Sequence, residues 1–134
     1  MRFEDLSGRI VIWGAGREGI AAYAELRERG LTAEFALTGD GAGLDGLAPE
    51  LAGVAVTGPA ALARLTSADV VIKSPGVPHA SPEYAAVRDL GIPITSLTDL
   101  WLSVNPGRVL AVSGTKGKST TSSLVHHLLL SVDV

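Results

Sequence analysis

Short apolar runs alternate with stretches in which apolar residues recur at helical spacing, from residue 9 to residue 104. The apolar runs predict buried strands, because a strand covered on both faces of its sheet reads as a continuous hydrophobic segment. These strands are predicted at residues 9–13, 33–37, 54–56, 69–73 and 92–95, and helices at 20–29, 59–65, 82–90 and 97–104. The predicted apolar face of the first helix consists of Ile20, Tyr23, Ala24 and Leu26.

Strands that alternate with helices through short loops predict an α/β fold, with a parallel sheet and helices on both of its faces. Residues 39–46 hold four glycines and two aspartates and are predicted to form a flexible surface loop. Residues 105–107 break the pattern, and we place a domain boundary there. Ligands of such sheets bind beyond the carboxyl ends of the strands, where the strand order reverses.

A glycine-rich turn follows the first strand directly. Its glycines follow the spacing Gly-x-Gly-x-x-Gly, which turns backbone N–H groups and a helix N-terminus toward a phosphate group. Its residues are Gly14, Ala15, Gly16, Arg17, Glu18 and Gly19. A second turn, Ser74, Pro75 and Gly76, follows the strand at 69–73 and is predicted to open at the same edge.

Three interpretations of the first glycine turn remain open. A dinucleotide site expects an acidic residue near the end of the second strand, but Asp40 lies beyond it, in the glycine-rich loop. The turn is equally suited to the diphosphate of a nucleotide sugar. A purely structural turn is the third interpretation.

A second strand–glycine–helix pattern lies near the C-terminus. Residues 109–112 predict a buried strand, and a helix is predicted to begin near Lys118. Between and after them come the candidate phosphate-binding residues Gly114, Thr115, Lys116, Gly117, Lys118, Ser119 and Thr120. The glycines allow a tight turn of N–H groups around an anion, Lys118 adds positive charge, and the Ser119 hydroxyl is a candidate Mg²⁺ ligand.

The pattern predicts polyphosphate binding, with ATP as the favoured ligand. It departs from the general P-loop pattern because Val112 stands where that pattern has its first glycine. The alternative is a glycine-rich strand–helix turn whose lysine is merely solvated.

Composition narrows the class of protein. The chain has 134 residues, a formal net charge of −3 and no cysteine, so one complete domain plus a fragment is expected, without disulfide or thiolate chemistry. The negative charge argues against nucleic-acid binding, and no apolar run suits a signal peptide or a membrane span. We therefore expect a cytoplasmic protein. The adjacent His126 and His127 predict surface histidines rather than a metal site.

Together these motifs resemble the Mur ligase family, most closely its glutamate-adding members. The resemblance covers the whole chain and rests on the first glycine turn, the Ser-Pro-Gly turn and the string Gly-Thr-x-Gly-Lys-Ser-Thr. It implies a Rossmann-like UDP-sugar-binding domain at residues 1–105. Residues 106–134 would be the first strand, P-loop and helix of a truncated P-loop ATPase domain.

The resemblance also implies a reaction and its ligands. ATP would phosphorylate the carboxylate of UDP-N-acetylmuramoyl-L-alanine, and the amine of glutamate would displace the phosphate. ADP would be the product of ATP and Mg²⁺ the cofactor. Lys118 would be the catalytic residue, because it would neutralise charge on the γ-phosphoryl group. Arg17 and Glu18 would meet the UDP diphosphate, Thr38 would lie at the uracil edge, and the Ser-Pro-Gly turn would face the nucleotide. Related ligases of other carboxylates, and non-catalytic nucleotide or dinucleotide modules, are the alternatives.

Several positions depart from the pattern of these ligases. Leu37 stands where an acidic residue is common, Gly39 where a basic one is, and Lys116 replaces an asparagine of the P-loop. The charged pair Arg17-Glu18 stands where small or apolar residues are usual. These departures indicate a divergent branch, and the ligases that add L-glutamate are our candidate for it.

The end of the chain carries an expectation of its own. The strand at 109–112 would lack its neighbours, and the following helix would leave an apolar surface uncovered, at Leu124, Val125, Leu128, Leu129 and Val132. We expect this segment to be mobile, repacked or paired with a second copy. We also expect the chain alone to be inactive as a ligase.

Overall fold

The computed structural model describes residues 1–39, 47–107 and 109–131. The chain forms two compact units, Met1–Val104 and Asn105–Val134, and each is described by itself. Among the described residues, no helix combines the length and the apolar character that crossing a membrane requires.

The first unit is built on a five-stranded parallel sheet, which confirms the predicted α/β architecture. The strand order is β3-β2-β1-β4-β5. The strands are β1 (Ile10–Trp13), β2 (Ala33–Leu37), β3 (Ala55–Thr57), β4 (Val70–Lys73) and β5 (Ile94–Thr95). The order reverses at β1, since the chain moves outward through β2 and β3 and then returns to the other side of β1.

Helices follow the strands, as the alternating pattern predicts. They are α1 (Arg17–Glu28), α2 (Pro49–Ala52), α3 (Gly58–Thr66), α4 (Pro82–Asp89) and α5 (Leu97–Val104), preceded by a 3-10 turn at Phe3–Asp5. Proline lies in the first turn of α2, α3 and α4, where its missing N–H costs no helical hydrogen bond. The single-turn helix α2 was not predicted, because four residues are too few to show a helical period.

Both faces of the sheet are covered. The side chains of the central strand β1 alternate, with Ile10 and Ile12 in one core cluster and Val11 and Trp13 in the other. The first cluster includes Leu26 of α1 and Leu100 of α5, whereas the second includes residues of α3 and α4. The prediction of helices on both faces is therefore confirmed.

The predicted apolar face of α1 is partly wrong. The buried residues are Gly19, Ala22 and Leu26, while Ile20 is 43% exposed. The helix begins at Arg17, three residues earlier than predicted, and its third residue, Gly19, packs against the preceding glycine turn. This close approach sets the rotation of the helix, so the face is decided by the glycine rather than by the larger apolar residues.

The second unit contains α6 (Lys118–Leu130), which begins where the sequence predicts. The predicted buried strand at 109–112 is wrong, because these residues have no regular secondary structure and Leu110 is 63% exposed. A strand needs a neighbour to bond its N–H and C=O groups, and no strand is described between residues 109 and 131. A helix bonds its own backbone, so α6 forms without one. Val132, placed on the apolar surface by the sequence, and the loop residues 40–46 lie outside the described residues.

Candidate nucleotide-binding sites

The two predicted turns of the first unit start side by side at the point where the strand order reverses. Trp13 and Lys73, the last residues of β1 and β4, are partners in the parallel register. The Ser74 N–H then donates to the carbonyl of Trp13 at 2.9 Å. On the other side of β1, the Gly14 N–H donates to the carbonyl of Ala36 at 3.0 Å. The sheet therefore brings both turns to one edge.

A side-chain hydrogen bond joins the two turns. The Ser74 hydroxyl donates to the carbonyl oxygen of Gly14 at 3.0 Å, across 60 residues of sequence. Ser74 is buried, so its donor is already used within the protein. Its role in this arrangement is to hold the turns together.

The three glycines of the first turn are not equally constrained. Gly14 has φ +98°, and a Cβ there would lie 3.2 Å from the Cβ of Ser74. A Cβ on Gly19 would collide with the carbonyl oxygen of Gly14. Gly16 has φ −71°, and nothing lies within 4 Å of the position that a Cβ would take, so neither backbone nor packing demands a glycine there. A side chain at position 16 would therefore project into open space.

The N-terminus of α1 begins in this open space. Gly16 is its N-cap and supplies no side-chain hydrogen bond, and the first helical bond runs from the Ile20 N–H to the Gly16 carbonyl. Arg17, the first helical residue, is exposed. Uncapped first-turn N–H groups and the positive end of the helix dipole favour an anion at this position.

Glu18 and Thr38 already have partners in the protein. A carboxylate oxygen of Glu18 accepts from the N–H of Thr98 at 3.3 Å and from its hydroxyl at 3.2 Å, in the first turn of α5. The Thr38 hydroxyl oxygen accepts from the indole N–H of the buried Trp13 at 2.8 Å. Glu18 thus links α1 to α5, and Thr38 is fixed just beyond β2.

The glycine loop of the second unit lies directly before α6. Gly117 is the N-cap of α6 in a left-handed conformation, with φ +77°. The Lys118 ammonium folds back and donates to the carbonyl of Gly114 at 2.6 Å. Thr115, Lys116, Ser119 and Thr120 are exposed. Ser119 offers one hydroxyl, which suits Mg²⁺, an ion that keeps several waters and takes its other ligands from substrate phosphates.

Comparison with known proteins shows what the chain is similar to. No protein-family model matches the chain. The chain is 43% identical, over 99% of its length, to the UDP-N-acetylmuramoyl-L-alanine--L-glutamate ligase of Salinispora tropica, and covers 31% of that enzyme. It is 45% identical, again over 99%, to the ligase of the same name from a Micromonospora strain, and covers 30% of it. The chain resembles the N-terminal part of a Mur ligase.

A Mur ligase of the other stereochemical type is more distant. The UDP-N-acetylmuramoylalanine--D-glutamate ligase of Acidobacterium capsulatum is 34% identical over 93% of the chain, which covers 28% of that enzyme. The chain therefore spans about three tenths of the length of the curated Mur ligases it matches.

The structure also contains a cavity of about 500 Å³ beside the Ser-Pro-Gly turn, which no sequence motif predicts. It is lined by residues of α1, β4, the β4–α4 loop, α4, β5 and α5, including Glu18, Lys73, His79, Tyr84, Thr95 and Asp99. His79 is exposed, and its ring centroid lies 4.8 Å from that of Tyr84. The one available signal was Lys73, a charged residue at the end of an otherwise apolar run.

His126 and His127 are both exposed on α6, which confirms the prediction of surface histidines. Trp101 is 50% exposed and borders a groove with Phe3 and Leu97.

Proposed function

We propose that the chain is the N-terminal portion of an ATP-dependent, ADP-forming ligase that adds glutamate to UDP-N-acetylmuramoyl-L-alanine in peptidoglycan precursor synthesis. The observation that carries this proposal is the match of 99% of the chain to two enzymes named for that reaction, at 43% and 45% identity. The paired turns at the switch point of the sheet support it, because they give the UDP-sugar a site in the first unit.

In this proposal, residues 1–105 bind the UDP-sugar. The diphosphate would lie in the open space beside Gly16, against the first turn of α1, with Arg17 in reach of its charge. Gly76 would meet it from the Ser-Pro-Gly turn. The uracil would lie near Thr38, whose hydroxyl has a free hydrogen to donate although its oxygen accepts from Trp13.

Residues 106–134 would begin the ATP-binding domain. The residues from Gly114 to Thr120 would surround the ATP phosphates, with Lys118 leaving its present carbonyl partner for the β- and γ-phosphates. Ser119 would be the protein ligand of Mg²⁺. When bound, this ion would neutralise charge on the transferred phosphoryl group.

The chemistry proceeds by two displacements. A carboxylate oxygen of the substrate attacks the γ-phosphorus of ATP, the bond to the β–γ bridging oxygen breaks, and an acyl phosphate and ADP form. The amine of glutamate then attacks the acyl carbon, the carbon–oxygen bond to phosphate breaks, and the amine loses a proton. Lys118 would stabilise the negative charge that builds up on the phosphoryl group in the first step.

We also propose L-glutamate as the amino acid and the cytoplasm, where ATP and nucleotide sugars are made, as the location. The support for L-glutamate is that the two relatives at 43% and 45% identity are named for it, whereas two relatives named for D-glutamate are 34% and 36% identical.

The experiment has a binding arm and an activity arm. Calorimetry with the chain should detect binding of UDP-N-acetylmuramoyl-L-alanine and of UDP, but not of NAD. Gly16→Val should lower the affinity for UDP at least about tenfold, because the valine side chain would fill the space of the ligand. Gly53→Val is the matched control, since Gly53 also has a negative φ and open space around it but lies at the end of α2. Tight NAD binding would favour a dinucleotide module instead.

The activity arm uses a chimera in which the chain replaces the aligned segment of a full-length L-glutamate ligase. We expect ADP formation that depends on L-glutamate, and a loss of roughly two to three orders of magnitude for Lys118→Ala with UDP-sugar affinity unchanged. An active Lys118→Ala chimera would contradict the role of this lysine. Glutamate-dependent ADP formation by the 134 residues alone would contradict the expectation that they are inactive by themselves.

A further inference from the structure

The last residue of β4 is a buried lysine beneath the Ser-Pro-Gly turn. Lys73 is 8% exposed, and its ammonium donates to the carbonyl oxygens of Ser74 at 3.1 Å and Val77 at 3.0 Å. The Val77 N–H also donates to the Ser74 carbonyl, at 3.2 Å. The ammonium therefore closes the turn from inside the protein.

The two carbonyls that Lys73 binds belong to special peptide units. Each precedes a proline, in Ser74-Pro75 and in Val77-Pro78, so neither unit has an N–H group. If such a peptide unit faced a diphosphate, it would present only its carbonyl oxygen, which would repel the phosphate oxygens. Lys73 turns both oxygens inward, and the Gly76 N–H has no hydrogen-bond partner among the described residues.

The Lys73 ammonium has no direct ion-pair partner. In the described part of the chain no carboxylate oxygen lies within 4.0 Å of it. Glu18 and Asp99 line the same cavity, but their carboxylates accept from Thr98 and from the Thr95 hydroxyl, the latter at 2.8 Å, rather than from Lys73. An anion bound at the turn would therefore be attracted by a positive charge that forms no contact ion pair within the protein.

We propose that Lys73 is a positioning residue for the diphosphate. It keeps the carbonyls of the two proline-preceding units away from the ligand and places a positive charge behind the turn. This inference rests on the proposed function, because it takes the ligand of this edge to be a nucleoside diphosphate.

The test compares ligands that differ only in phosphate. Calorimetry gives the affinities of UDP, UMP and uridine for the wild-type chain and for Lys73→Met, which keeps most of the length of the side chain without its charge or donors. We expect Lys73→Met to lower the affinity for UDP at least about tenfold, to lower the affinity for UMP less, and to leave the affinity for uridine unchanged. Arg88→Met is the control, since it removes one exposed positive charge from α4 and should change none of the three.

Each other outcome has a meaning. If Lys73→Met loses affinity equally for UDP and uridine, Lys73 has only a structural role and the inference is wrong. If the folded variant binds UDP as tightly as the wild type, the inference is also wrong, but the proposed function still stands. A wild-type chain that binds no UDP would overturn the proposed function as well. If Lys73→Met does not fold, the inference is tested on the wild-type chain by NMR. The chain has only three lysines, so the resonances of the Lys73 ammonium can be followed. The inference requires these resonances to shift when UDP binds but not when uridine binds.

Discussion

The chain contains two strand–glycine–helix patterns, and only the first becomes a complete structural unit. Residues 10–13 form the fully buried central strand, paired on both sides, whereas residues 109–112 remain irregular. The first glycine turn is packed, with a Cβ on Gly19 colliding with a backbone oxygen, whereas nothing lies within 4 Å of a Cβ on Gly117. The helix forms in both. An apolar run is therefore a strand only where neighbouring strands are present, while a helix start is encoded locally.

Hydrogen exchange should show the largest difference between the two patterns. Amides of Val11 and Ile12 exchange only when the sheet opens, so they should exchange at least about a thousandfold more slowly than those of Leu110 and Ala111. The measurement is made at several protein concentrations. Protection of residues 109–112 that matches β1 at every concentration would contradict the difference, and protection that grows with concentration would reveal pairing with a second copy.

Substitution of Gly19 should reverse the usual effect of alanine in a helix. Gly→Ala within a helix normally stabilises by up to ~1 kcal/mol, but the collision with the Gly14 carbonyl should make Gly19→Ala destabilising by about 3 kcal/mol. Denaturant unfolding measures the free energy, with Gly16→Ala as a control that should lose no more than about 1 kcal/mol, since alanine is a poorer N-cap than glycine. Equal stability of the two variants would mean that the first turn is as open as the second.

The exposed apolar residues of α6 give the smallest expected effect. Leu124 and Leu128 are 58% and 55% exposed, so the expected self-association should involve them. Replacing both with lysine should weaken association at least about tenfold, measured by sedimentation over a range of concentrations. Leu90→Lys, at an equally exposed position after α4, is the control. A wild-type chain that stays monomeric at all concentrations would remove the expectation.

Most of the first unit could be predicted because its strands are buried on both faces. Such strands leave continuous apolar runs, and the bounds of β2 and α5 agree with the prediction. The side-by-side position of the two turns followed from the parallel topology alone. These features depend on local composition and on one general rule of open sheets.

The rest depends on contacts that no local pattern records. The strand expected at 109–112 fails because its existence depends on partners elsewhere. Ile20 is exposed because Gly19 packs closely against the first glycine turn. The Glu18 side chain points toward α5 because its carboxylate accepts a hydrogen bond from Thr98, 80 residues away in the sequence. Burial of Lys73 is hidden for the same reason, since its carbonyl partners are created by the turn itself.

The hydrogen bond from Trp13 to Thr38 has a spectroscopic consequence. The chain has two tryptophans, one fully buried at the end of β1 and the other, Trp101, 50% exposed. Their fluorescence should separate into a short-wavelength component from Trp13, shielded from quenchers in solution, and a longer-wavelength component from Trp101. A ligand that accepts a hydrogen bond from the Thr38 hydroxyl polarises the oxygen to which the Trp13 indole donates, whereas Trp101 has no part in this contact. The emission of Trp13 thus reports on this edge of the sheet without any added dye.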